Sequence, residues 1–118
     1  MSFPIKRRIG TVFIPVKDIK SSRDWYCHLL GLSPTDEILF DHLYVIPLET
    51  GTNLVLDSKI YNEANIKDIP LFHFNTDSIN EAYDYVKAQG IHFVTEIENE
   101  QWFNIKDPDG NVIMICEC

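Results

Sequence analysis

From Thr11 to Val16 the side chains alternate, with Val12, Ile14 and Val16 on one side and Thr11 and Phe13 on the other, which predicts a half-buried strand. The period then changes. Trp25, Tyr26, Leu29 and Leu30 recur at helical spacing, Asp18 stands where an N-cap is needed, and Gly31 supplies a left-handed residue to end the helix. The same signals return half a chain later: Asp18 and Asp77, Gly31 and Gly90, and Gly51 and Gly110 are each 59 residues apart. In the second copy Leu71 to Asn75 alternates, Ser78-Ile79-Asn80-Glu81 fits a capping box, and Ile79, Ala82, Tyr83 and Val86 form the stripe before Gly90. Three short strand-like runs follow each helix, at 33–40, 43–48 and 52–57 and at 92–97, 101–106 and 111–117. Glu49-Thr50-Gly51 and Asp107-Pro108-Asp109-Gly110 are turns between consecutive strands, the second structural because Pro and Gly set its backbone angles.

Each half therefore reads β-α-β-β-β. The chain is one α+β domain over 1–118, with a first module at about 8–57, a linker at about 58–69 and a second module at about 70–118. Leu54 and Leu56, Phe72 and Phe74, and Ile113 and Ile115 join Val12, Ile14 and Val16 as the apolar sides that pack under the helices. The opposite sides carry Thr11 and Phe13; Asn53, Val55 and Asp57; Leu71, His73 and Asn75; and Met114 and Cys116. That mixture suits the lining of a cleft better than a dry core.

With 45% hydrophobic and 24% charged residues over 118 positions, the chain can bury a core and is not of disordered composition. No apolar run approaches the ~20 residues of a membrane span, and Met1 to Arg8 has no signal-like apolar stretch, so a cytoplasmic protein is expected. The net charge is −8, and residues 61–118, with three basic against eleven acidic groups, hold all of it. This argues against a nucleic-acid partner and mildly for a cationic ligand, although acidity also simply aids solubility. The three cysteines, an odd number, fit a reducing compartment. Cys116 and Cys118 point to the same side of the last strand; such a pair can bind metal, but two buried thiols are the plainer expectation.

Two tandem βαβββ modules, the segment Val16-Lys17-Asp18-Ile19-Lys20-Ser21-Ser22 leading to Trp25-Tyr26 and Leu30-Gly31-Leu32, and the hairpin Asp107-Pro108-Asp109-Gly110-Asn111 together resemble the vicinal oxygen chelate superfamily. That group includes glyoxalase I, bleomycin- and fosfomycin-resistance proteins and extradiol dioxygenases. The resemblance implies a curved mixed sheet with the helices on its convex side, and a homodimer with sites at the subunit interface. It also implies a divalent metal held on the concave side by residues at four positions, here Thr11, Val55, Leu71 and Met114. A hydroxyl, two alkyl groups and a thioether do not replace imidazole and carboxylate, so no metal and no other cofactor is expected there. The chain looks most like the metal-free, bleomycin-resistance-like members, which implies a binding protein for a hydrophobic or cationic small molecule.

Phe13, Trp102 and Met114 offer an apolar, polarisable lining for such a ligand, by stacking and cation–π contact, or else plain packing. Asp57 and His73 are the polar groups of interest on the same side. As a pair they would make a general base, with Cys116 an offset metal site, and Cys116 beside His73 a nucleophile; a hydrogen-bonded histidine at a rim is the plainer alternative. The catalytic alternative is accordingly a lyase, isomerase or dioxygenase of the superfamily, using a shifted metal or His73 as base. A scaffold without chemistry is a third possibility. His28, His42 and His92 read as surface or rim groups.

Overall fold

Both helices form where their caps stand. In the computed structural model, which describes residues 3–49 and 51–118, the Asp18 carboxylate accepts the backbone N–H groups of Lys20 and Ser21, each at 3.1 Å, and opens α1 (Ile19–Leu30). Gly31, at φ 72°, closes it, with the Leu32 N–H donating to the Cys27 carbonyl. Ser78 opens α2 (Ile79–Ala88) by accepting the Glu81 N–H at 3.2 Å, as a capping box requires. Replacing Asp18 by alanine removes two of the orphan donors' partners at α1 and is expected to cost about 1 kcal/mol, read from the shift of a urea unfolding midpoint. Met1, Ser2 and Thr50, the middle residue of the expected Glu49–Gly51 turn, lie outside the described residues.

The strands are β1 (Thr11–Pro15), β2 (Leu43–Pro47), β3 (Asn53–Asp57), β4 (Pro70–Asn75), β5 (His92–Phe93), β6 (Trp102–Lys106) and β7 (Val112–Cys116). Each half makes its own mixed sheet, of order β1-β3-β2 in the first and β4-β7-β6-β5 in the second. β1 runs parallel to β3 and β4 parallel to β7, while the hairpin pairs are antiparallel. The expected strand at 33–40 is not formed. Pro34 has no N–H to give, Thr35 donates its N–H to the Tyr44 hydroxyl, and the Ile38 N–H turns back to the Asp36 carbonyl, so only the Leu39–Leu43 bridge remains. Likewise the expected strand at 92–97 stops at Phe93, because the N–H groups of Val94 and Thr95 both reach the Asn104 carbonyl.

The 59-residue repeat extends to these irregularities. The bridges Leu39–Leu43 and Glu98–Trp102 are related by it, and so are the left-handed turn residues Phe40-Asp41 and Asn99-Glu100. β4 carries one further irregularity: between Pro70, opposite Val112, and His73, opposite Met114, it holds an extra residue.

The core lies between sheets and helices, as the alternation requires. Ile14, Leu54, Leu56 and Ile113 are fully buried, and Phe72 and Phe74 pack against them. Tyr83, Phe93 and Phe103 form an aromatic cluster under α2, with ring centroids 4.6–5.5 Å apart. The two modules are joined by the Asp107–Gly110 turn. Asp107 accepts the Tyr26 hydroxyl at 2.6 Å, the Asn111 side-chain amide at 2.8 Å and the N–H groups of Asp109 and Asn111, each at 2.9 Å. The Asn111 amide also donates to the Pro15 carbonyl, and Asp109 accepts the Lys17 N–H, so the hairpin of one module is bound to the start of α1 in the other. No helix among the described residues is long and apolar enough to cross a membrane.

Candidate functional site

Alternation puts one side of every strand away from the helices, and the pairing registers show which residues share it. On the first sheet Phe13, Val55 and Val45 form one rung, flanked by Thr11 and Asn53 on one side and by Pro15, Asp57 and Leu43 on the other. On the second sheet His73, Met114 and Asn104 form one rung and Asn75, Cys116 and Trp102 the next. These surfaces are only partly covered within one chain: Val55, Asp57 and Cys116 are buried, while other groups on them are open. Phe13 is 57% exposed, Leu71 45%, Val94 40% and Val45 36%. Phe13 and Val45 flank Val55 as neighbours on the first sheet, while Leu71 and Val94 stand at opposite edges of the second.

The four positions expected to correspond to metal ligands lie on strands of these two sheets. Thr11 and Val55 belong to the first sheet, Leu71 and Met114 to the second. Val55 is buried between Phe13 and Val45, Leu71 is an exposed alkyl group, and Met114 offers only a thioether. This donor set does not fit a divalent ion bound by imidazole and carboxylate.

His73, Asp57 and Cys116 are not a triad. Asp57 lies on the other sheet, is buried, and uses its carboxylate to accept the Lys59 N–H at 2.9 Å. No hydrogen bond joins it to His73. Cys116 does lie near His73, but its companion is Cys118: the side-chain ligand atoms of His73, Cys116 and Cys118 all fall within 4.8 Å of one another. Cys116 is buried and Cys118 exposed, and the two are joined in a disulfide, where a pair of buried thiols was expected. Their spacing on one side of a strand end brings the α-carbons to 5.3 Å, within bridging range. The free thiol is Cys27, buried beside the Tyr44 hydroxyl.

Phe13 and Trp102 lie on different sheets, and Trp102 and Met114 on neighbouring rungs of one. Two participants escaped the sequence reading. Val45 completes the Phe13 rung, and Asn104 stands beside Met114 with a buried side-chain oxygen that has no hydrogen-bond partner. The alternation of Trp102, Asn104 and Lys106 against buried Phe103 and Ile105 was the available signal. His28, on α1, pairs with Gln89, while His42 bonds to the Phe40 carbonyl and His92 is exposed on β5. A cleft of about 380 Å³ opens between the modules beside His73, lined also by Leu30, Leu32, Pro47, Leu48 and Glu49.

The fold and its paired sheets are those of a known group. Residues 8–115 match the model of the Glyoxalase/Bleomycin resistance protein/Dioxygenase superfamily, and the chain belongs to it. Solved structures agree on the fold. A member of that superfamily from Sphaerobacter thermophilus DSM 20745 is similar at 21% identity and a TM-score of 0.72, covering 94% of this chain and 97% of that one. TnmS3, an antibiotic binding protein from Streptomyces sp. CB03234, is 19% identical with a TM-score of 0.73, covering 98% of each chain. A lactoylglutathione lyase from Agrobacterium tumefaciens is 17% identical with a TM-score of 0.70, covering 94% of this chain and 93% of that one. No curated protein matches the chain.

Proposed function

We propose that this chain binds a flat, apolar or cationic small molecule without the superfamily's metal, in clefts between two copies of itself. The observation that carries the reading is the set Thr11, Val55, Leu71 and Met114, which supplies no metal-binding groups while the same faces expose Phe13, Val45 and Leu71. Each sheet is half of an enclosure. A second copy related by a two-fold axis sets the first face of one chain against the second face of the other, covering both at once and creating two equivalent clefts. Trp102 and Phe13 supply π faces, and the acidic excess of the second half favours positive charge. The likeness to an antibiotic binding protein is consistent with this in fold.

The test is a thermal-shift titration with acridine orange, a flat aromatic cation, against anthracene-9-methanol as an uncharged relative, in the presence of a metal chelator. The cation is expected to raise the melting temperature in a concentration-dependent way. Trp102→Ala should weaken binding about 10-fold, the scale of one stacked cation–π contact. A monomer at micromolar concentration with no shift from either compound defeats the proposal. The catalytic alternative, a lyase, isomerase or dioxygenase with His73 as base, has less support, because Asp57 is engaged elsewhere and does not orient the imidazole.

A further inference from the structure

We infer that, once the Cys116–Cys118 bridge is reduced, His73, Cys116 and Cys118 hold one thiophilic d¹⁰ cation of the zinc–cadmium class at the end of β7. This goes beyond the ligand reading and concerns a different set of atoms. One imidazole and two sulfurs already lie within 4.8 Å of one another, brought together from β4 and from the end of β7. The parallel pairing of β4 with β7 puts His73 one rung from Cys116 on the same face. Cys118, just past the strand, turns its sulfur back to Cys116.

The donor set selects the ion. Two thiolates and an imidazole are soft to borderline ligands, suited to zinc or cadmium and unsuited to magnesium or calcium, and no carboxylate belongs to the cluster. A tetrahedral ion with bonds of about 2.3 Å to sulfur and about 2.0 Å to nitrogen holds its ligand atoms roughly 3.5–3.8 Å apart. His73 and Cys118 are exposed and free to rotate: the imidazole swings inward, and after reduction the Cys118 sulfur moves out from bonding distance to about 3.8 Å from that of Cys116, while buried Cys116 fixes the centre. Three protein ligands leave a fourth position for water or an external thiol. Among the described residues no other group of three such side chains is close enough to hold a metal.

The bridge makes the site redox-gated. In the disulfide the two sulfurs are bonded to each other and are not thiolate ligands. A phosphine reductant takes up the oxidation: the S–S bond breaks, two thiols form, and the phosphine becomes its oxide with oxygen from water. On metal binding both thiols release their protons to solvent and two metal–sulfur bonds form. In the reverse direction, oxidised glutathione accepts two electrons from the two thiolates and two protons from solvent, its own S–S bond breaks, the Cys116–Cys118 bond is restored, two molecules of glutathione leave and the ion is released.

The full-length chain, reduced by a phosphine and separately oxidised by oxidised glutathione, is titrated with Cd²⁺ and followed by thiolate-to-metal ultraviolet absorption. One Cd²⁺ per chain is expected in the reduced form, at least 100-fold weaker binding in the oxidised form. Cys118→Ser, at an exposed position, should halve the absorption and weaken binding at least 10-fold. His73→Ala should leave the absorption in place and weaken binding about 10- to 100-fold. Cys27→Ala should change neither. Absence of stoichiometric Cd²⁺ in the reduced chain, equal binding by the oxidised chain, or unaltered binding in Cys118→Ser overturns the inference. None of these results bears on the acridine titration, which is run with the metal chelated.

Discussion

Asp107→Ala is expected to lower the stability of the folded chain by about 4 kcal/mol, through the loss of a buried carboxylate that accepts several hydrogen bonds at once. At this chain length that is a fall of about 10 °C or more in melting temperature, measurable by calorimetry. The reason lies on both sides of the module junction. The Tyr26 hydroxyl, the Asn111 amide and two backbone N–H groups lose their shared acceptor, and Tyr26 is fully buried away from bulk solvent. The effect also depends on pH. Burial holds the Asp107 carboxyl above its ordinary range, opposed in part by the hydrogen bonds from Tyr26 and Asn111. The folded chain therefore keeps this proton to higher pH than the unfolded chain. Its contribution is greatest below the ordinary carboxylate range and declines as pH rises through the raised value. The gap between the native chain and Asp107→Ala should accordingly widen as pH is lowered from neutral to acid, in urea unfolding curves taken on both. A gap that narrows instead contradicts the raised value.

Phe13→Glu should abolish self-association while leaving the single chain folded. Phe13 is 57% exposed in the isolated chain, so a carboxylate there remains in water and changes stability little. Against the face of a second copy the same carboxylate is desolvated beside Val45 and Val55, with no cation on its rung. Dimer dissociation is expected to rise at least 100-fold, about 2.7 kcal/mol, by sedimentation equilibrium. Val45→Glu, on the same rung, should behave alike, and both variants should lose acridine binding with the dimer. A Phe13→Glu chain that still dimerises and still binds the dye places the interface elsewhere and removes the two-copy cleft from the proposed function.

Most of the architecture is legible in the residues because it rests on local rules. Asp18, Gly31 and Ser78 sit at helix ends for reasons of backbone hydrogen bonding, and the period-2 runs around Ile14, Leu56 and Ile113 bury one side whatever surrounds them. The missing strand at 33–40 shows the limit. Its composition permits extension, but the Tyr44 hydroxyl, nine residues on, captures the Thr35 N–H, and such a competition is invisible in a pattern. The site was less legible for a related reason. Alternation places Asp57 and His73 on the same kind of face, yet says nothing about which sheet each joins. The two modules form separate sheets, and that divided the expected pair. The Cys116–Cys118 spacing is visible in the sequence, but its nearness to His73 depends on the β4–β7 register and only the fold supplies that.

The extra residue in β4 has a bearing on how this chain tolerates insertions and deletions. A regular ladder transmits a one-residue change of length along its whole run, turning every following side chain over. Here the slack between Pro70 and His73 takes up one position before the regular pairing of His73, Phe74 and Asn75 begins. Shortening by a residue upstream can be absorbed at Leu71 or Phe72, while the imidazole and the sulfur beside it keep their places. A chain shortened by one residue before this point can therefore keep His73 opposite Met114 and Asn75 opposite Cys116.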